Sequence, residues 1–249
     1  MPRLSAIIIT RNEAANIGEC LDTLAFCDER IVVDGGSEDD TVRIAHAKGA
    51  QVATNAWRGF GAQKNYALSL ATGDWILSID ADERVTPSLA REIGAATARG
   101  DADGFEMPRR STFLGREMRH SGWSPDYVLR LFRRGRARFS DHLVHERVIC
   151  EGAVARLAEP LLHHPVKRIE DALSRMDRYS SAGAEMLIAS GRRASFASGI
   201  GHGLWSFLRA YVWRLGFLDG REGFLLAIVN AEGTYYRYMK AWQRGRDHA

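Results

Sequence analysis

The chain has 249 residues, of which 45% are hydrophobic and 26% charged, so it can bury a substantial core without disulfide or metal staples. Disorder, collagen and coiled coil are excluded. Basic residues exceed acidic ones by a net +3, too little to demand a polyanionic partner, so any basic function must be local.

In chain order, the β-prone runs are Leu4–Thr10, 30–33, Gln51–Thr54 and 75–79, with helical stretches between them at 13–24, 39–48 and 61–71. Strands alternating with helices of about 10 residues form βαβ units, and hence a parallel sheet covered on both faces. The first run is too brief for a signal-peptide core. Ser37, with Asp40 three residues on, resembles a capping box for the second helix, which puts Asp34-Gly35-Gly36 in a tight turn at a strand's carboxyl end. Ligands of open α/β sheets bind at such ends, beside Thr10, Asp34 and Asp80 here. A helix from Pro87 to about Arg99 and a strand at 104–107 follow. Residues 108–150 lose the alternation and read as loops, basic turns and short strands at 127–132 and 144–149. From Val166 onward the pattern is helical, punctuated by glycines. The uncharged run from Ala194 to Leu208 contains Gly, Ser and His and is too short for a spanning helix. Cys20, Cys27 and Cys150 make an odd set without CxxC spacing, which disfavours disulfides and a cysteine zinc site. The expectation is a cytoplasmic protein.

The chemistry concentrates at Asp80-Ala81-Asp82-Glu83, which follows the apolar run Trp75-Ile76-Leu77-Ser78-Ile79. In an extended chain, carboxylates two residues apart point to one side, about 6.6 Å apart at about 3.3 Å rise per residue, and could grip a nucleotide and its metal together. Hard oxygen donors favour Mg²⁺ or Mn²⁺, which take substrate phosphates as further ligands. A lone DxD is equally a polar turn, and Asp34 alone is equally a cap or Asx turn. What distinguishes them is that three successive strands deliver polar or acidic groups to one edge.

Four motifs occur in order: Ile8-Ile9-Thr10-Arg11-Asn12-Glu13, Val33-Asp34-Gly35-Gly36-Ser37-Glu38-Asp39, Gln63-Lys64-Asn65-Tyr66-Ala67-Leu68 and Gly73-Asp74-Trp75-Ile76-Leu77-Ser78-Ile79-Asp80-Ala81-Asp82-Glu83. Together they resemble the family 2 inverting glycosyltransferases. The resemblance implies a GT-A fold, a Rossmann-like α/β arrangement whose central, mostly parallel sheet is flanked by helices, and a UDP-sugar donor. It implies Thr10, Glu13 and Asp34 around the base and ribose, Asp80 and Ala81 at the ribose side, and Asp82 on a Mg²⁺ or Mn²⁺ ion at the diphosphate, where Arg11 and Lys64 add positive charge to the donor site. Neither GxxxxGK[ST] nor GxGxxG occurs in this region, so a phosphate loop is not the explanation.

An inverting transfer needs a base for the acceptor hydroxyl, and a carboxylate outside the metal cluster is the natural candidate. In lipopolysaccharide-core glucosyltransferases of this family a Val-His-Glu element follows a Trp and an Arg-Leu-Phe-Arg run, as Val144-His145-Glu146 follows Trp123 and Arg130-Leu131-Phe132-Arg133. That resemblance implies Glu146 as base, His145 orienting it or touching diphosphate, and Trp123 and Arg130 at the acceptor. Asp141 on the same segment is the fallback base. The order His142-Leu143-Val144-His145-Glu146 is not HExxH, and His163-His164 before Pro165 reads as a polar turn, so no zinc is expected.

Between Pro108 and Arg138 nine arginines face two acids, Glu117 and Asp126, which suits phosphate or carboxylate. No nucleic-acid reader motif accompanies them, so no nucleic-acid partner is expected; an anionic glycolipid or membrane surface fits better. Aromatics and arginines crowd residues 196–218, as in an interfacial helix, although ordinary core or a homodimer contact gives the same pattern. The tail segments Gly216–Gly223 and Tyr235–Lys240 also resemble the lipopolysaccharide-core group.

The expected organisation is a catalytic domain at 1–165, with donor binding at 1–107 and acceptor and base at 108–165, then a helical region at 166–249. The expected function is transfer of a hexose, glucose from UDP-glucose, to a heptose of the lipopolysaccharide inner core, by an enzyme peripheral on the cytoplasmic face of the inner membrane. Two rivals remain: a nucleotidyltransferase of similar fold, which would normally show a glycine-rich basic loop after the first strand, and a non-catalytic membrane-surface protein.

Overall fold

The computed structural model describes residues 2–140, 147–192 and 194–246. It divides into two compact units, one of Met1–Arg110 with Asp126–His163, the other of Ser111–Pro125 with His164–Ala249. The chain runs β1 (Leu4–Thr10), α1 (Ala14–Thr23), β2 (Glu29–Asp34), α2 (Thr41–Ala47), β3 (Gln51–Thr54), α3 (Phe60–Leu70), β4 (Trp75–Ser78), β5 (Glu83–Val85), α4 (Pro87–Arg99) and β6 (Gly104–Phe113). Then come β7 (Arg116–Glu117), β8 (Tyr127–Arg133), β9 (Ala137–Phe139), β10 (Val148–Cys150), β11 (Val154–Arg156) and β12 (Leu161–Val166). The helical end comprises α5 (Ile169–Ala189), α6 (Phe196–Leu208), a π-helical turn (Arg209–Trp213), a 3-10 turn (Gly216–Asp219) and α7 (Gly220–Arg246).

The main sheet has the order β3-β2-β1-β4-β8-β6-β12-β5, with β7 and β11 also paired to β6. Strands β3, β2, β1 and β4 are parallel, and β8 joins β4 antiparallel. This is the expected GT-A type of α/β fold, with helices after the sheet.

Strands β1, β2 and β4 are buried on both faces because their apolar residues are continuous rather than alternating, whereas the edge strand β3 stays partly exposed. Ala6, Ile8, Val32 and Leu77 enter one core with Ile17 and Leu21 of α1. Their neighbours Ile7, Ile9, Ile31, Val33 and Ile76 enter a second core with Ala67 of α3. Helix α4 starts where Thr86 Oγ1 accepts from Leu89 N at 3.1 Å and Pro87 occupies the first turn; it stops at Gly100, which is left-handed with φ +62°. In the second unit Phe113, Met118, Val166, Ala172 and Leu226 form a core of their own. The three cysteines are free thiols. No helix among the described residues is long and apolar enough to cross a membrane.

Two local expectations are corrected. Ser37 does not cap the second helix: α2 begins at Thr41 behind Asp40, and the Ser37 hydroxyl is used by Asp34 and by Asn12 N instead. His163 and His164 do not form a turn, since Leu161–Val166 is a strand despite Pro165. Of the strand expected at 144–149, β10 holds Val148 and Ile149, and residues 144–146 lie outside the described part.

Candidate active site

Parallel pairing aligns the carboxyl ends of three strands: Thr10 lies opposite Asp34, and Asp34 opposite Thr54. Thr10 Oγ1 donates to Asp34 Oδ1 at 3.1 Å. The other oxygen, Asp34 Oδ2, accepts from Gly36 N at 2.9 Å and Ser37 N at 2.8 Å, an Asx turn that fixes the carboxylate at the sheet edge. Gly36 has φ +88°, and a Cβ on Gly35 would sit 2.8 Å from the Trp57 ring. The Asp34-Gly35-Gly36 turn thus needs both glycines, one for its backbone and one for the indole beside it. Arg11 is exposed next to this edge. Glu13 Oε2 accepts from Asn16 Nδ2 at 2.7 Å, and Glu13 N donates to Thr41 Oγ1 at 2.8 Å.

Beyond β4 the chain does not stay extended, contrary to the spacing argument. Glu83 N donates to Asp80 O and Asp80 N donates to Glu83 Oε2, both at 2.9 Å, so Asp80-Ala81-Asp82-Glu83 closes into a turn with Ala81 and Asp82 at its tip. The two aspartates therefore have different neighbours. Asp80 Oδ1 meets Lys64 Nζ at 2.9 Å, and Oδ2 meets the Arg130 guanidinium. Arg130 also reaches Glu83 Oε1 at 2.7 Å, with Arg109 Nη1 3.5 Å from the same oxygen and Arg109 closing on Asp126 at 2.8 Å. Glu83 is 0% exposed and Lys64 3%. Burial alone would raise the Asp80 carboxyl; Arg130 and then Lys64 outweigh it and hold Asp80 well below the usual carboxylate range. Burial alone would lower the Arg130 guanidinium, but Asp80 and Glu83 outweigh that and fix its charge. Asp80 thus sits as a carboxylate within a charge cluster.

Asp82 Oδ2 lies 3.5 Å from His163 Nε2. The cause is register: antiparallel pairing of β12 with β5 sets His163 opposite Glu83. Strand alternation sends His164 elsewhere, with Nδ1 2.9 Å from Thr112 Oγ1.

Glu146, His145 and Asp141 lie outside the described residues. Their flanks are held: Ser140 N donates to Arg147 O at 2.9 Å and Arg147 N to Ser140 Oγ at 3.0 Å. Asn65 clasps Phe139 through its amide, Nδ2 to the carbonyl and Oδ1 from the N–H, both at 2.9 Å. The neighbouring Lys64 Nζ sits 5.7 Å from the centre of the Phe139 ring. Trp123 belongs to the second unit, where its indole stands edge-on to Phe113 at 6.1 Å.

Thr10, Asp34, Lys64, Asp80 and Arg130 thus occupy one unit, with Asp80 joining Lys64 to Arg130. Sequence reasoning missed the contacts of Glu83, Arg109 and His163. Glu83 stood in a quoted motif, but its partner Arg130 is 47 residues away. His163 was recoverable from the β-prone run around it, had Pro165 not argued for a turn.

The chain matches the model of glycosyl transferase family 2 over residues 5–156. It is 31% identical to the lipopolysaccharide core biosynthesis glycosyltransferase LpsC of Rhizobium meliloti, over 94% of this chain and 93% of that one. It is also 31% identical to an uncharacterized glycosyltransferase of Rickettsia felis, over 96% and 89% of the two chains. Among solved structures, glucosyl-3-phosphoglycerate synthase from Mycobacterium tuberculosis, in complex with Mn²⁺, UDP-glucose and phosphoglyceric acid, aligns with TM-score 0.38 and 26% identity. That alignment covers 46% of this chain and less than half, 45%, of the synthase. A family match across most of the first unit, joined to relatives along almost the whole chain, identifies this protein as a glycosyltransferase of family 2.

Proposed function

We propose that the enzyme transfers glucose from UDP-glucose, with inversion, to an inner-core heptose of lipopolysaccharide at the cytoplasmic face of the inner membrane. The observation that carries the donor half of this reading is the clamped turn: Asp80 fixed as an anion by Lys64 and Arg130, with Asp82 beside His163 one step further along. In this reading Thr10, Arg11, Glu13 and Asp34 line the base and ribose, Asp80 and Ala81 face the ribose side, and Arg130 serves to pin Asp80. The likeness to LpsC over 94% of the chain supports the acceptor half.

The donor set fits a divalent ion. Asp82 and His163 offer a carboxylate oxygen and an imidazole nitrogen side by side, which suits Mn²⁺ and accommodates Mg²⁺. Among the described residues no group of three or more His, Cys, Asp or Glu could hold a metal, so the remaining ligands would be diphosphate oxygens and water. When bound, the ion supplies positive charge where the leaving diphosphate becomes more negative.

The chain's own residues do the rest. Glu146 takes the proton from the acceptor hydroxyl as that oxygen bonds to the sugar's anomeric carbon, and the bond from that carbon to the diphosphate breaks, releasing UDP. His145 orients Glu146. The held flanks of this segment, beside Asn65 and Lys64, support its assignment to the site that Asp80 marks. Glu146→Gln is expected to retain UDP binding while losing transfer, measured by calorimetry and by released UDP. Equal turnover of variant and wild type would remove Glu146 from the role.

A further inference from the structure

Large apolar side chains stay exposed on the second unit along α6 and the π turn after it: Ile200, Leu204, Trp205, Leu208, Val212 and Trp213, with Leu204 at 63% and Trp213 at 79%. The cause is local. Helix α6 packs on α7 through its smallest residues: a Cβ on Gly203 would meet Tyr235 Cβ at 3.3 Å, and one on Gly199 would collide with Met239. The large residues are displaced to the outer side, where Ile200, Leu204, Leu208 and Val212 recur every four positions. The π turn and the helix share one patch, since the Trp205 and Trp213 rings lie 6.5 Å apart. An apolar face of this kind marks an interaction site.

Charge distinguishes the occupants. Across residues 190–222 the only carboxylates are Asp219 and Glu222. Asp219 is buried, with His120 Nδ1 2.9 Å from its Oδ1 and the N–H groups of Arg119 and His120 donating to it at 3.2 and 2.9 Å. Glu222 faces Arg116 at 3.7 Å. Arg192, Arg209, Arg214 and Arg221 are all exposed. The apolar stripe is therefore flanked by positive charge. A two-fold contact with a second copy would bring two such arginine-flanked patches together without carboxylates to pair them. An anionic lipid leaflet accepts both features at once, apolar side chains below the headgroups and guanidinium groups on the phosphates. Tryptophan favours that boundary, and α6, at 13 residues, is too short to cross.

We infer that α6 and the π turn form an interfacial anchor that lays its aromatic and aliphatic side into an anionic lipid leaflet. This gives a physical means to the membrane location in the proposed function, and rests on that reading only for the place of work; binding is measured without turnover. The test is flotation of the full chain with vesicles of phosphatidylcholine alone and of an equal mixture of phosphatidylcholine and phosphatidylglycerol. The expected result is flotation with the mixed vesicles at low salt, a blue shift of tryptophan emission, and weakening at high salt. Leu204→Asn with Trp213→Ser should reduce binding roughly tenfold or more while sugar transfer to a water-soluble acceptor, read as released UDP, stays at the wild-type rate. Wild type that fails to float, or a double variant that floats equally well, overturns the inference. A concentration-dependent dimer lost in the double variant, without vesicle binding, assigns the face to a second copy instead. Vesicle binding without transfer to any acceptor would leave the anchor standing and defeat the catalytic reading.

Discussion

Asp80 is held by two cations, and one of them, Arg130, also neutralises a carboxylate with no access to water. Removing one partner of such a buried pair leaves the other uncompensated, at about 3–5 kcal/mol. Arg130→Met is therefore expected to lower stability by about that amount, read by urea unfolding, and to weaken UDP binding as Asp80 loses its fixed position. Adding Glu83→Gln should restore part of the stability but not the UDP affinity, a non-additive pair; strict additivity would dismiss the clamp. Asp82 and His163 make a second residue-scale prediction. His163→Gln should raise the Mn²⁺ concentration needed for UDP binding by about 10–100-fold, with UDP binding in excess chelator unchanged. An unaltered Mn²⁺ requirement would detach His163 from the metal. At this scale the sequence made Thr10, Asp34, Asp80 and Asp82 legible, because sheet-edge polar groups follow directly from strand ends. It left Glu83, Arg109 and His163 obscure because their meaning lies in partners distant along the chain, and buried charge has no local signature.

Strands and turns explain why those residues converge. Burial raises the Glu29 carboxyl, but bonds from Ser5 and Thr72 outweigh it and hold it below its ordinary value. Glu29 opens β2, Ser5 lies in β1, and Thr72 precedes β4, so this carboxylate fastens three parallel strands at the end away from Asp34. A depressed folded pKa means the staple contributes fully above the ordinary glutamate pKa, about 4.3, and loses its contribution as pH falls through the folded value. Wild type should lose stability in that acid range more steeply than Glu29→Gln, read by thermal unfolding against pH; parallel curves would contradict the staple. The Asp34 turn gives a second contrast. Gly36→Ala meets no neighbour within 4 Å and pays for its positive φ alone, about 1–2 kcal/mol. Gly35→Ala drives a methyl into Trp57, 2.8 Å from the ring, about 1–3 kcal/mol of overpacking, and should also weaken UDP binding. Strands β1, β2 and β4 were readable because their continuous apolar runs can only be buried on both faces. Strands β7, β9, β11 and β12 were not: β7 and β9 are too short for a period to show, β11 pairs with the distant β6, and a proline in β12 argues against a strand.

At the scale of the whole molecule, chain position and compactness part company. Residues 111–125 cluster with the C-terminal helices rather than with the strands that flank them in sequence, and their core, through Phe113, Met118 and Leu226, has no periodicity to announce it. The first unit holds the clamped turn and the strand ends; the second holds the exposed aromatic face. Family membership makes the chain a glycosyltransferase, and the function proposed for the first unit is transfer of glucose with inversion. Its most direct measurement is incubation with UDP-glucose, Mn²⁺ and deacylated heptose-containing core oligosaccharide, following released UDP and the anomeric proton coupling of the product by NMR. Acceptor-dependent UDP release and a β-linked glucose from the α-linked donor are the expected result. An α-linked product, or consumption of a nucleoside triphosphate with release of pyrophosphate in its place, would contradict it.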